Sequence, residues 1–260
     1  MTSYTNPAKR LLSVLGEASQ KNPNEATGKV WSSVFGLPWD DNRADPHYVQ
    51  RKLAVLREEI DLLELQMKRT AFAPEGYAQY LDRVRTTISK ANLDATWKSY
   101  FQSLYSPEVQ LSLLWCSQVI ADEESVSMDD LADLLATIKA FRANIDSLKI
   151  SEPVRDFILR QLDLIEQAIQ EYPIRGGAAI RDGFHKAAAV YAGMEDAPLS
   201  NTEAENVGKV NGLFSRLGKA ADGVIKADKL VTAVLNIAEK SAPATKAIAA
   251  VIDKLPGIGQ

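Results

Sequence analysis

The chain has 260 residues, 46% of them hydrophobic and 25% charged, enough to bury one large core or two modest ones. A net charge of −4 makes the whole chain a poor electrostatic match for nucleic acid. The single cysteine, Cys116, excludes an internal disulfide, and one cysteine with two histidines excludes zinc-type ligand spacing.

Asn6 before Pro7 is a cap followed by a first-turn proline, which predicts a helix to about Ala18. After a polar loop, Thr27 is expected to cap a short helix carrying Val30, Trp31, Val34 and Phe35, stopped by Gly36 and Pro38. Asp45-Pro46 repeats the cap-then-proline signature and opens a long helix to about Arg69. Its Val49, Leu53, Leu56, Ile60, Leu63 and Met67 are spaced 4-3-4-3-4, with Val55, Leu62 and Leu65 broadening the apolar side. That width favours a core helix of a bundle over an isolated coiled coil.

Pro74 is expected to start the next helix, with Tyr77, Leu81, Val84 and Ile88 on one face, and Trp97, Phe101 and Leu104 continue the rhythm. Ser106-Pro107-Glu108 opens a helix that is apolar on most sides from Val109 to Ile120, which reads as deep burial. Trp115 and Cys116 are taken as core within it. Ser127 with Asp130 resembles a capping box and starts a helix through Leu131, Leu134, Leu135, Ile138, Phe141 and Ile145.

Ser151 or Glu152 then caps a helix whose Val154, Ile158, Leu162, Ile165, Ile169 and Tyr172 recur at helical spacing. Pro173 removes an amide donor and is expected to end or kink this helix at Tyr172. After Gly176 and Gly177 the next helix carries Ile180, Phe184, Ala187, Ala188 and Tyr191. The run from Leu162 to Gly176, Leu-x-x-Ile-Glu-x-Ala-Ile-x-Glu-Tyr-x-Ile-Arg-Gly, resembles a turn that recurs in uncharacterised all-helical bacterial proteins. The likeness covers residues 152–192; it implies a bacterial origin and a helix–turn–helix, and no activity.

No alternating apolar–polar run argues for a strand, and the fold expectation is all-α: a bundle over 1–192, a linker over 193–201, and a helical tail over 202–260 rich in small residues. The tail is basic. Residues 207–260 hold eight Lys or Arg against four Asp or Glu, leaving 22 against 30 in the rest of the chain. Val207, Val210, Phe214, Leu217 and Val224 form its apolar stripe, expected to be covered by a partner or by the bundle itself. Gly208 and Gly212 at four-residue spacing suit close helix contact.

Candidate sites are few. Asp40, Asp41, Asp45 and His47 gather oxygen and nitrogen ligands, but Ala44 breaks the calcium-loop pattern, and a solvated loop with Asp45 as helix cap is the preferred reading. His185, near Arg181 and Asp182, lacks a nucleophile in a recognisable setting. Arg175 with Gly176 and Gly177 forms a candidate anion nest, set against pairing of Arg175 with Glu171 or capping of the helix end.

No phosphate-binding loop, dinucleotide fingerprint, metal set or catalytic constellation is apparent, so no catalytic residue, cofactor or metal is assigned. The expected function is non-enzymatic protein–protein interaction, through a protein partner or self-association. The alternative is membrane association through the C-terminal helices. Without a signal peptide or a spanning segment in the sequence, a cytoplasmic location is expected, peripheral at the membrane under that alternative.

Overall fold

The computed structural model describes residues 5–37, 46–192 and 199–221. Ten α-helices and two short 3-10 turns make up the regular structure of these residues, with no strand and a single isolated bridge between Ala26 and Thr96. The fold is an all-α, multi-helix bundle. Packing divides the chain into two compact units: residues 1–123 with 173–176, and residues 124–172 with 177–260.

The first unit holds α1 (Pro7–Ser19), α2 (Thr27–Val34), α3 (Pro46–Met67), α4 (Ala78–Ser89), α5 (Lys98–Leu104) and α6 (Pro107–Val119). Asn6 caps α1 as its position before Pro7 predicts, accepting from the Lys9 amide at 3.0 Å. The amphipathic spacing then buries Leu11, Val14, Leu15 and Ala18. In α3 every residue of the 4-3-4 seam is buried, while Leu65, expected to broaden it, is half exposed.

Two helix starts differ from expectation. Thr27 does not cap α2; it is the helix's first residue, and its hydroxyl donates to the Ala95 carbonyl. The orphan amides of Thr27 and Gly28 find the carbonyls of Ala95 and Leu93 instead, both at 2.8 Å, so a distant loop does the work of a cap. Pro74 starts a 3-10 turn (Pro74–Gly76), and α4 follows only at Ala78. The core of this unit is aromatic at one end: Trp31 stacks on Phe35 and meets Trp97 edge-on at 5.4 Å, and the Trp97 indole donates to the Ala18 carbonyl.

The second unit holds α7 (Met128–Ala143), most of α8 (Glu152–Arg175), α9 (Gly177–Ala192) and α10 (Asn201–Ala220). Ser127 accepts from the Asp130 amide and caps α7, whose first turn carries Asp129 and Asp130 where the helix dipole favours them. Helix α8 passes through Pro173 and stops at Arg175, so the proline does not end it as expected. The break belongs to Gly176, whose φ of 55° lies in the left-handed region.

Beyond that glycine α9 folds back on α8. Gly183 lets the two helices approach until a Cβ there would sit 2.9 Å from the Ala168 methyl, and Gln161 donates to the Ala187 carbonyl. Helix α10 packs on α7 and sets Phe214 against Phe184 of α9, ring centroids 5.5 Å apart.

Candidate functional site

Sequence reasoning placed the interaction stripe on the C-terminal helices, and the described part of it is buried. Val207, Val210, Phe214 and Leu217 all point into the second unit, with Val210 and Leu217 fully inaccessible. The chain itself is their cover, so they are not a free surface for a partner or for lipid. Val224 lies outside the described residues. Gly208 and Gly212 are exposed, and among the described residues nothing lies within 4 Å of an added Cβ on either.

Helix α10 is fixed at its start by Glu203. Its carboxylate accepts from the amide and hydroxyl of Ser200, completing a capping box, and from the amide and hydroxyl of Ser151 at the head of α8. Hydrogen bonds from the two serine side chains and then the two amides hold the Glu203 carboxyl down to about 2.

Among the described residues, four of the seven large exposed hydrophobics lie elsewhere, on α6. Its inward face is Val109, Ser112, Leu113, Cys116 and Ser117. Its outward face is Leu111, Leu114, Trp115 and Val119, exposed by 45%, 48%, 45% and 39%, with the uncharged, exposed Gln118 among them. These four positions fall at i, i+3, i+4 and i+8, one stripe of a helix. The expectation of deep burial for α6, and of Trp115 as core, is therefore corrected. A helix apolar on most sides here lies at the rim of its unit, and its inward side includes two serines. Those serines satisfy themselves within the chain, Ser112 on the Gly76 carbonyl and Ser117 on the Leu114 carbonyl. Cys116 is buried as expected, and burial pushes its thiol up to about 11, which leaves it unreactive.

No ionisable side chain interrupts this stripe. Phe72 lies beside Trp115 at 6.3 Å and extends its aromatic edge. Glu108 stands at the N-terminal end, and the Lys9–Asp122 ion pair, 2.7 Å, stands at the other.

The junction singled out as an anion nest is already filled. An added Cβ on Gly176 would meet Arg10 Nη1 at 2.3 Å and Glu123 Oε2 at 3.0 Å. The Arg10 guanidinium is fully buried and divides its donors between two carboxylates: Nε and Nη2 to Glu59 Oε1 at 2.7 and 2.6 Å, Nη1 and Nη2 to Glu123 at 2.8 and 3.2 Å. The anion beside Gly176 is thus Glu123, a side chain of the same unit. Arg175 lies close enough for its charge to act on Glu59. Burial pushes the Glu59 carboxyl up to about 7, against the pull of Arg10.

The remaining candidates do not converge. His185 is exposed on α9, and His47 is exposed in the first turn of α3, while Asp40, Asp41 and Asp45 lie outside the described residues. Among the described residues no three His, Cys, Asp or Glu side chains are grouped to hold a metal ion. None of the described helices is long and apolar enough to cross a membrane. Comparison with known proteins finds no matching family model, no matching curated protein and no matching solved structure.

Proposed function

We propose that this chain acts by protein–protein association rather than catalysis, and that the outward face of α6 is where a second copy of the chain docks. The observation that carries the reading is the uncharged stripe of Leu111, Leu114, Trp115 and Val119. An apolar face centred on a tryptophan has the composition of a binding hot spot.

A second copy suits this stripe for two reasons. An isologous contact needs a patch that can meet itself, and a stripe without charge does so without like-charge repulsion. Antiparallel pairing also opposes the two helix dipoles.

Area limits the strength. The four side chains expose on the order of 300 Å² per copy, well below the roughly 800 Å² per partner of a standard stable interface. Two such faces release about 15 kcal/mol at about 25 cal/mol per Å², against association costs of about 4–15 kcal/mol. The net, from nothing to about 11 kcal/mol, runs from no association to a Kd of roughly 10 nM, and an area far below the standard interface sets the dimer toward the weak, reversible end of that range.

Sedimentation velocity of the full chain over a wide concentration range tests this, with Leu114→Glu as the comparison, since Leu114 is 48% exposed and a charge there is expected to leave the fold intact. Mass is expected to rise with concentration in the wild type and to stay monomeric in the variant. A monomer at every concentration, or association unaffected by Leu114→Glu, would overturn the reading.

A further inference from the structure

Two buried charges of the first unit have no part in that docking face. Arg10 and Glu59 sit on the core-facing sides of α1 and α3, where the helical period calls for apolar residues. They stand against a short visiting segment. Pro173–Gly176 belongs to the first unit: Ile174 is buried in its core, and Gly176 approaches the Arg10 guanidinium so closely that a Cβ there would collide with it. Glu123, whose side chain is 36% exposed, closes the cluster from the water side. The Glu123 amide is held in turn by the Thr5 carbonyl.

The charges around Glu59 are Arg10 from α1, Glu123 from the segment after α6, and Arg175 from the end of α8. Of the other helices packed on α3, α2 brings Lys29, paired to Glu25, and α4 brings Asp82, Arg83 and Arg85, the last bound to Asp61 and Glu64. Those side chains are engaged with other partners along α3 or away from it. The cluster therefore sets one guanidinium between a buried carboxylate, Glu59, and a partly exposed one, Glu123, with the charge of Arg175 also acting on Glu59.

We propose that Arg10, Glu59 and Glu123 form a proton-linked catch on Pro173–Gly176, tight when Glu59 is protonated and looser when it is ionised. With Glu59 neutral, Arg10 pairs one-to-one with Glu123, and the Glu59 carbonyl oxygen still accepts from Arg10 Nε. Ionisation adds a second negative charge that burial disfavours, and opening the cluster to water relieves it.

The direction follows from linkage. Glu59 titrates near 7 in the closed cluster and near 4.5 once solvated, so closure takes up a proton between those values. The catch weakens as pH rises from 4.5 to 7 and changes no further through this group above 7.

Hydrogen exchange at the amides of Ile174, Arg175 and Gly176 tests the catch, in the full chain across that pH range and corrected for intrinsic exchange rates. Protection is expected to fall roughly 10- to 100-fold from the acid to the neutral end and then level off. Glu59→Gln, which fixes the neutral shape, is expected to keep high protection without the slope. Should that variant fail to fold, the wild-type profile decides alone. Protection that is flat or rises with pH in the wild type, or a slope that survives in Glu59→Gln, would overturn the proposal.

Discussion

Two glycines in the first unit share a backbone conformation and differ in what stands over them, which makes them a controlled pair. Gly36 has φ 63° with no described atom within 4 Å of where a Cβ would be; Gly176 has φ 55° with Arg10 Nη1 at 2.3 Å and Cζ at 2.8 Å from that position. Gly36→Ala therefore meets only the cost of a left-handed residue with a side chain, about 1–2 kcal/mol. Gly176→Ala meets the same cost and must also move Arg10. An arginine at the surface would swing aside at little expense. This one is fully buried and bonded to both Glu59 and Glu123. Displacing one partner of a buried ion pair costs about 3–5 kcal/mol, so the total is expected to exceed about 4 kcal/mol. Urea unfolding read by tryptophan fluorescence suits the comparison, because all four tryptophans lie within residues 1–123. Equal costs for the two substitutions would refute the claim that Arg10 is held rigidly over the junction.

Other substitutions separate packing from surface. Phe214→Ala should behave as a core truncation, costing about 3–5 kcal/mol in thermal or chemical unfolding of the second unit, whereas an exposed docking residue would cost almost nothing. Glu203→Gln should lower stability at neutral pH. The Glu203 carboxyl is depressed to about 2 in the folded chain, so its contribution is complete above its ordinary range near 4.5 and fades as pH falls toward 2. The variant should accordingly lose part of the wild type's acid sensitivity in that window, measured by circular dichroism melts at several pH values. Gly183→Ala should destabilise despite the better helix propensity of alanine, because its methyl would lie 2.9 Å from that of Ala168; melting temperature reports the sign.

Several helix starts were legible from a local rule. Asn6-Pro7, Ser106-Pro107 and Ser127 each start a helix through a hydrogen bond made within three residues, and the α3 seam follows from its spacing alone. Thr27 escaped the same logic because its helix start is served by carbonyls some 68 positions away in the chain. Of the two outcomes expected at Pro173, an end or a kink, the end lies further on, because a proline removes only one backbone bond whereas Gly176 adopts the left-handed conformation that stops the helix.

The outward stripe of α6 was hidden by its own composition. Apolar residues on both sides of a helix read as burial, and only Ser112 and Ser117 on the inward side hinted that the helix lies at a rim. Arg10 and Glu59 did leave a signal. Each sits three residues after one buried position and four before another, at 7 and 14 in α1 and at 56 and 63 in α3, a charge in a slot meant for a core residue. That such charges face each other is a tertiary fact, and no spacing rule within one helix can state it.

The most direct measurement of the central claim is disulfide trapping between copies. Cys116 is buried and unreactive, so a single introduced thiol reports alone. Leu114→Cys places it on the α6 stripe, and Leu65→Cys places one on an equally exposed apolar position of α3. Under mild oxidation at a concentration where the wild type self-associates, Leu114→Cys is expected to form covalent dimer much faster than Leu65→Cys. Equal rates for the two variants, or faster coupling through α3, would contradict docking on α6.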